Sequence, residues 1–176
     1  MITPKVDPNG VNVIIGTRHW LGPEWLHVDA DRSPLVDEHG KQHAVDVVCD
    51  ARKLDLPDRH ADFVFNSECL EHFPWKDTFN VLAEWCRIVK VGGVIRVEVP
   101  DFILACQQVL GTDTLECDLA MRQIFYGGQI NEYDFHYTGI THRMLQAWLE
   151  ELDFEVINLE RGNECGFLRV DGKLIM

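Results

Sequence analysis

The segment that most restricts the fold is residues 62–99. An apolar run, "DFVFN", leads into "PWKDTFNVLAEWCRIVKVGG", and a second run, "VIRVEV", follows. In the middle stretch Trp75, Phe79, Leu82, Cys86 and Val89 recur at helical spacing. Pro74 suits a first turn, Asp77 complements the positive end, and Gly92-Gly93 closes the element. Strand, helix and strand at this spacing make a βαβ unit, whose right-handed crossover leaves its two strands parallel. Three earlier apolar runs, 11–15, 25–29 and 44–49, extend the pattern. Several of the five are continuous in Val, Ile and Phe rather than alternating, as strands covered on both faces require. The expectation is an α/β fold around a parallel sheet.

A second helix is expected over 141–152, with Thr141 as N-cap and Met144, Leu145, Trp148, Leu149 and Leu152 on one stripe. After it, "FEVINLE" and "GFLRVDGKLIM" read as two strands joined through 161–166, a hairpin-like antiparallel ending. The stretch 101–137 is less regular, with a helix expected over 115–125 and then a polar, aromatic loop, "YGGQINEYDFHYTG". With 176 residues and 46% apolar content, the chain suits one domain over 1–176 with a substantial core.

Charge excludes some partners. Sixteen basic against 29 acidic residues give a net charge of −13, which repels phosphate backbones and anionic membrane surfaces. The six cysteines, Cys49, Cys69, Cys86, Cys106, Cys117 and Cys165, contain no C-x-x-C pair, so neither zinc nor a redox motif is expected. They read as small buried hydrophobes in a reducing compartment. No apolar run approaches the roughly 18 residues of a membrane span, and the first ten residues lack a signal-peptide core. A cytoplasmic protein with no metal site is the expectation.

Chemistry-bearing residues gather just past the carboxyl ends of the expected strands. Gly16 follows the first, Asp29 and Asp31 the second, Asp50 the third, "NSECLEHF" the fourth, and Asp101 the fifth. Ligands of open α/β sheets bind outside these ends, near the switch in strand order. Asp29 is placed to accept hydrogen bonds from ribose hydroxyls, and Asp50 from the exocyclic amine of a base. Only Arg18 supplies a basic group near Gly16, which favours a nucleoside without phosphates.

The text from "VNVIIGTRHWLGPEWLHVDAD" through "DVVCDARKLDLPDRHADFVFNSECLEHFPWKDTFNVLAEWCRIVKVGGVIRVEVPDF" to "IFYGGQINEYDFHYTGITHRMLQAWLEELDFEV" covers most of the chain. It resembles the class I S-adenosylmethionine-dependent methyltransferases, in particular small type-11-like members with a shortened first crossover. The middle block is the most specific: an Asp after the third strand, then L-x-L-P-D, D-F-V-F-N-S, L-E-H-F and a helix ending R-I-V-K-V-G-G. The resemblance implies a Rossmann-like sheet, mostly parallel with an antiparallel C-terminal strand pair. It implies S-adenosylmethionine as cofactor, with Gly16 against its methionine part and Asp29 on its ribose. Asp50, Ala51 and Arg52 then stand on the adenine side, and Asn66, Ser67 and Glu68 face the sulfonium. His72, the last residue of L-E-H, falls where an acceptor approaches.

The implied reaction is methyl transfer to a small-molecule or carbohydrate-like acceptor, with His136 and His72 as candidate general bases. Tyr137 and Gln129 are candidate orienting groups, and Gly127-Gly128 would let their loop fold over a substrate. Against this, His136 and Tyr137 also read as packing residues below the last helix. Ile14 stands where the family pattern G-x-G has its first glycine, and the 13 positions from Gly16 to Asp29 are too few for a full helical crossover. These departures motivate an alternative: a catalytically lapsed methyltransferase fold serving as a binding or scaffold module. A Rossmann-type oxidoreductase is a weaker third reading, since G-x-G-x-x-G is missing. Trp20, Trp25 and Trp75 are expected to be exposed and able to form a contact surface.

Overall fold

The computed structural model describes residues 10–17, 19–162 and 166–176. In chain order they form β1 (Asn12–Ile15), β2 (Trp25–Asp29), β3 (Leu35–Val36), β4 (Gln42–His43), β5 (Val47–Val48) and β6 (Ala61–Ser67). A 3-10 turn (Leu70–His72), α1 (Thr78–Arg87), β7 (Val89–Pro100), α2 (Phe102–Gly111) and α3 (Leu115–Tyr126) follow. The chain ends in α4 (His142–Glu151), β8 (Phe154–Glu160) and β9 (Phe167–Leu174). Seven strands make one sheet in the order β5-β2-β1-β6-β7-β9-β8, and β3-β4 is a separate antiparallel pair. The neighbours from β5 to β7 pair in parallel, and β9 runs antiparallel to both β7 and β8. This is the mostly parallel sheet with an antiparallel C-terminal pair that the sequence leads one to expect.

The central strand β1 is buried along its whole length, and its side chains alternate between two cores. Val13 and Ile15 join the main core with Val64, Leu82, Trp85, Leu145 and Leu149, under α1 and α4. Ile14 points the other way, into a small cluster with Trp25 and Phe65. The chain between β1 and β2 forms no helix to cover this second face. Instead the loop lies on the β3-β4 pair, with a bridge from His19 to Val36 and a hydrogen bond from Trp20 N to Val36 O at 3.1 Å. Trp20 stacks on His43 with ring centroids 3.9 Å apart, and Leu21 N donates to His27 Nε2 at 3.0 Å.

Four expectations need correction. Gly92-Gly93 do not end the helix: α1 stops at Arg87, and the glycines lie inside β7. The register there jumps from Ala61↔Val89 to Phe63↔Val94, and Gly92, at φ +81°, absorbs the extra residues. The third strand contracts from 44–49 to Val47–Val48. Residues 102–111 form α2, capped by Asp101, whose Oδ1 accepts from Leu104 N at 3.0 Å. Of the three tryptophans expected on the surface, only Trp75 is strongly exposed, at 69%; Trp25 is 3% exposed and Trp20 is half-buried in its stack.

Arginine–carboxylate pairs join β9 to its neighbours. Arg96 and Asp171, partners in the β7–β9 register, form a two-pronged pair at 2.7 Å. Arg169 bridges Glu98 on β7 at 2.5 Å and Glu160 on β8 at 2.6 Å. Glu98 is almost fully buried, so removing its cation leaves an uncompensated charge inside the protein. Arg169→Ala should therefore cost about 3–5 kcal/mol and lower the melting midpoint by about 10 °C, with Glu98→Gln in the same chain recovering part of the loss. Calorimetry of the single and double variants checks this.

Candidate active site

In a parallel sheet every carboxyl end lies on one side. Gly16, Asp29, Asp50 and the 66–68 segment therefore share an edge, in the spatial order β5-β2-β1-β6. The chain leaves β1 toward β2 and β5 on one side, then returns to β6 and β7 on the other. The switch point thus lies between β1 and β6, where α/β sheets form their ligand crevice.

Gly16 turns the chain at this point with φ +70°, and its N–H donates to Val28 O at 2.9 Å. A Cβ on Gly16 would lie 2.4 Å from Cys69 Sγ, so both conformation and space demand glycine. Asn66 is buried beside it. Its Nδ2 donates to Ile15 O at 3.0 Å, while its Oδ1 meets no donor. Ser67 is buried too, and its hydroxyl donates to Glu98 Oε2 at 3.3 Å. Glu68 is exposed and holds φ +55°, a left-handed conformation that side chains adopt at a cost. Desolvation by its surroundings raises its carboxyl pKa.

On the other side, Asp29 accepts from Asp31 N at 2.8 Å. Asp50 is gripped by Arg52, whose Nε lies 3.0 Å from each carboxylate oxygen, and this hydrogen bonding lowers the Asp50 pKa. Ala51 is held from behind, its carbonyl accepting from the buried Trp85 Nε1 at 2.9 Å. Cys49 N donates to Asp29 O at 3.1 Å, which ties these two acidic ends together. Arg18 and Cys165 lie outside the described residues.

The 3-10 turn after β6 brings in a group that spacing along the chain does not reveal. Glu71 N-terminal to His72 is buried, and its backbone carbonyl accepts from Tyr137 N at 2.9 Å and Thr138 N at 3.2 Å. That docks the 135–138 segment on the turn and brings His136 to His72, with ring centroids 4.8 Å apart. His136 Nε2 is 3.9 Å from Glu71 Oε1. Desolvation pushes the Glu71 carboxyl up to about 8 and, as the largest effect, lowers the pKa of His72. His136 thus faces Glu71 and His72, with its ring mostly buried. Glu71 was legible only as part of E-x-x-E-H after a strand end, and its burial was not.

The loop that carries His136 is tied down. Gly127 and Gly128 sit so close to Asp134 that Cβ atoms there would lie 2.3 and 2.4 Å from its oxygens, so these glycines serve close packing rather than free movement. Gln129 N donates to Asp134 O at 2.9 Å, and the Gln129 amide donates to Tyr126 O at 3.3 Å. Tyr137 is exposed and stacks on Phe135. A surface depression of about 540 Å³ lies elsewhere, between α4 and the edge strand β8, and is lined by Gln146, Glu150 and Asn158 among others.

Residues 17–97, which include β2, β5, β6 and α1, match the methyltransferase-domain family. The whole fold is shared with solved methyltransferases. The chain thus has the fold of the class I S-adenosylmethionine-dependent methyltransferases, and just under half of it matches the methyltransferase-domain family. One similar structure is the Methanosarcina mazei S-adenosylmethionine-dependent methyltransferase, at 16% identity and TM-score 0.58, covering 97% of this chain and 95% of that one. Another is the Burkholderia thailandensis 1,6-didemethyltoxoflavin-N1-methyltransferase, with 1,6-didemethyltoxoflavin and S-adenosylhomocysteine bound, at 16% identity and TM-score 0.59, covering 95% and 72%. A third is an Aquifex aeolicus S-adenosylmethionine-dependent methyltransferase, at 14% and 0.54, covering 93% and 81%. No curated protein sequence matches the chain.

The rim of this methyltransferase-like fold is polar where the strand order switches. Carboxylates stand at the ends of β2 and β5, and a buried amide at the switch point keeps an acceptor, Asn66 Oδ1, without a protein donor. Ile14 does not intrude, because its side chain fills the second core. Gly16→Ala should force the β1 turn off Cys69, lower the melting midpoint by several degrees and weaken donor binding at least about tenfold; calorimetric titration with S-adenosylhomocysteine reads both.

Proposed function

We propose that this methyltransferase acts on a small-molecule or carbohydrate-like acceptor, which approaches the rim at Glu68, His72 and His136. The observation that carries the reading is the placement of Gly16, Asp29, Asp50 and Asn66 on one edge astride the switch point. In this reading Asp29 accepts hydrogen bonds from the ribose hydroxyls. Asp50, with the backbone of Ala51 and Arg52, takes the adenine edge. Gly16, Asn66, Ser67 and Glu68 border the methionine end. Arg52 must swing away from Asp50 to free it; both side chains are about half exposed, so breaking that pair costs little.

When bound, S-adenosylmethionine supplies a methyl carbon activated by its sulfonium. The chain's own part is to hold the acceptor in line and keep water out. A neutral imidazole of His72 or His136 accepts the proton that a hydroxyl or ammonium acceptor must lose. Burial favours the neutral form of His72 at pH 7. A chain of net charge −13 favours such acceptors over nucleic acid. Among the described residues no helix is long and apolar enough to cross a membrane. The free thiols of Cys49, Cys69, Cys86, Cys106 and Cys117 support our placing of the enzyme in the cytoplasm.

Thermal unfolding tests the assignment. At about 100 times its dissociation constant, S-adenosylmethionine should add about 2.7 kcal/mol of apparent stability, and adenosine at the same concentration much less. Asp29→Ala and Asp50→Ala should each weaken donor binding at least about fivefold while the unliganded protein keeps its circular dichroism. Unchanged affinity in both variants would overturn the proposed site.

A further inference from the structure

Among the described residues, Glu71 is a buried carboxyl with both oxygens unaccounted for. It is 2% exposed, and neither carboxylate oxygen has a hydrogen-bond partner. Buried carboxylates otherwise sit against donors, as Glu98 does with Arg169 and Asp101 with Arg161. An orphaned buried carboxylate calls for a partner that the protein itself does not supply.

Its neighbours indicate the kind. His72 Nδ1 lies 3.0 Å from Phe135 O, and His136 Nδ1 lies 2.9 Å from Ile124 O. A carbonyl only accepts, so Nδ1 of each ring carries the proton, and the other ring nitrogen is left with a lone pair. Metal-binding imidazoles are oriented in the same way, by a carbonyl that accepts from the ring nitrogen facing away from the ion. One ligating atom each from Glu71, His72 and His136 lie within 4.8 Å of one another. Metal–ligand lengths of about 2.0–2.2 Å would bring them to roughly 3–3.5 Å apart, a closure of about 1.8 Å at most from the 4.8 Å limit.

We propose that Glu71, His72 and His136 bind one divalent first-row transition-metal ion, with the remaining coordination positions open toward the rim. Two imidazoles and one carboxylate select such ions over calcium or magnesium, which prefer all-oxygen sites. The proposal rests on these three side chains and not on methyl transfer; with the ion bound both lone pairs are taken up by it, so proton acceptance by His72 or His136 belongs to the metal-free protein. Donor affinity, measured on the same protein, separates a failure of one from a failure of the other.

The test uses the full chain, stripped with chelator and titrated with Co²⁺ at pH 7.5. One equivalent should bind with a visible ligand-field band that stoichiometric Zn²⁺ abolishes, and Zn²⁺ should raise the melting midpoint by several degrees. Glu71→Gln and His136→Gln should each weaken Co²⁺ binding at least tenfold, whereas His39→Gln, at an exposed position, should not. Because Gln has nearly the shape of the Glu71 side chain and His136 is on a loop, at least one of the two variants should fold like the parent, as circular dichroism will report. No band at millimolar Co²⁺, or a bound equivalent that persists in a folded Glu71→Gln or His136→Gln protein, would overturn the proposal.

Discussion

Gly16 has no side chain, and the Cys69 sulfur fills the room that one would need. This contact presses the turn out of β1 onto the segment that follows β6, next to the Leu70–His72 turn. Asn66 reinforces it by donating to the Ile15 carbonyl. The glycine turn and the L-E-H turn thus form one packed unit, and the 135–138 segment docks on it through the Glu71 carbonyl. Burial raises the Cys69 thiol pKa strongly, so Cys69 acts as a spacer and not as a nucleophile. Three pieces of chain, about fifty and then about sixty-five residues apart, meet around that close approach.

The same economy governs the thin face of the sheet. A helix between β1 and β2 would normally cover it, but the loop there is too short to form one. Ile14, Trp25 and Phe65 make a small second core in its place, and the Trp20–His43 stack lies over the β3-β4 pair. Ile14 therefore answers a packing need: a glycine at this position would leave a void beside Trp25 and Phe65. The departure from G-x-G and the loss of the crossover helix have one cause, the need to bury that side of the sheet with fewer residues.

Much of the fold was legible because parallel strands buried on one or both faces need continuous apolar runs, and such runs are visible one after another along the chain. β2, β8 and α4 fall where the periodicity puts them, and Thr141 caps α4 by accepting from Met144 N at 3.3 Å. The misreadings arose where a residue has two competing uses. Gly92-Gly93 suits a helix stop as well as a bulge, and only the pairing of Val89 with Ala61 decides for the bulge. α2 lacks a clear polar–apolar period, so its Asp101 cap was its one local sign. Within the site, the residues at strand ends were legible because strand direction alone puts them on one edge.

What the sequence by itself determined is the sheet, its parallel sense and the rim of acidic and amide groups at its carboxyl edge, because each follows from local pattern and chain direction. What only the tertiary structure decided is the meeting of Glu71, His72 and His136. His136 lies 64 positions beyond His72, on a loop with no periodicity. Its placement depends on Tyr137 and Thr138 reaching the Glu71 carbonyl, and hydrogen bonds at that separation leave no local trace in the order of residues.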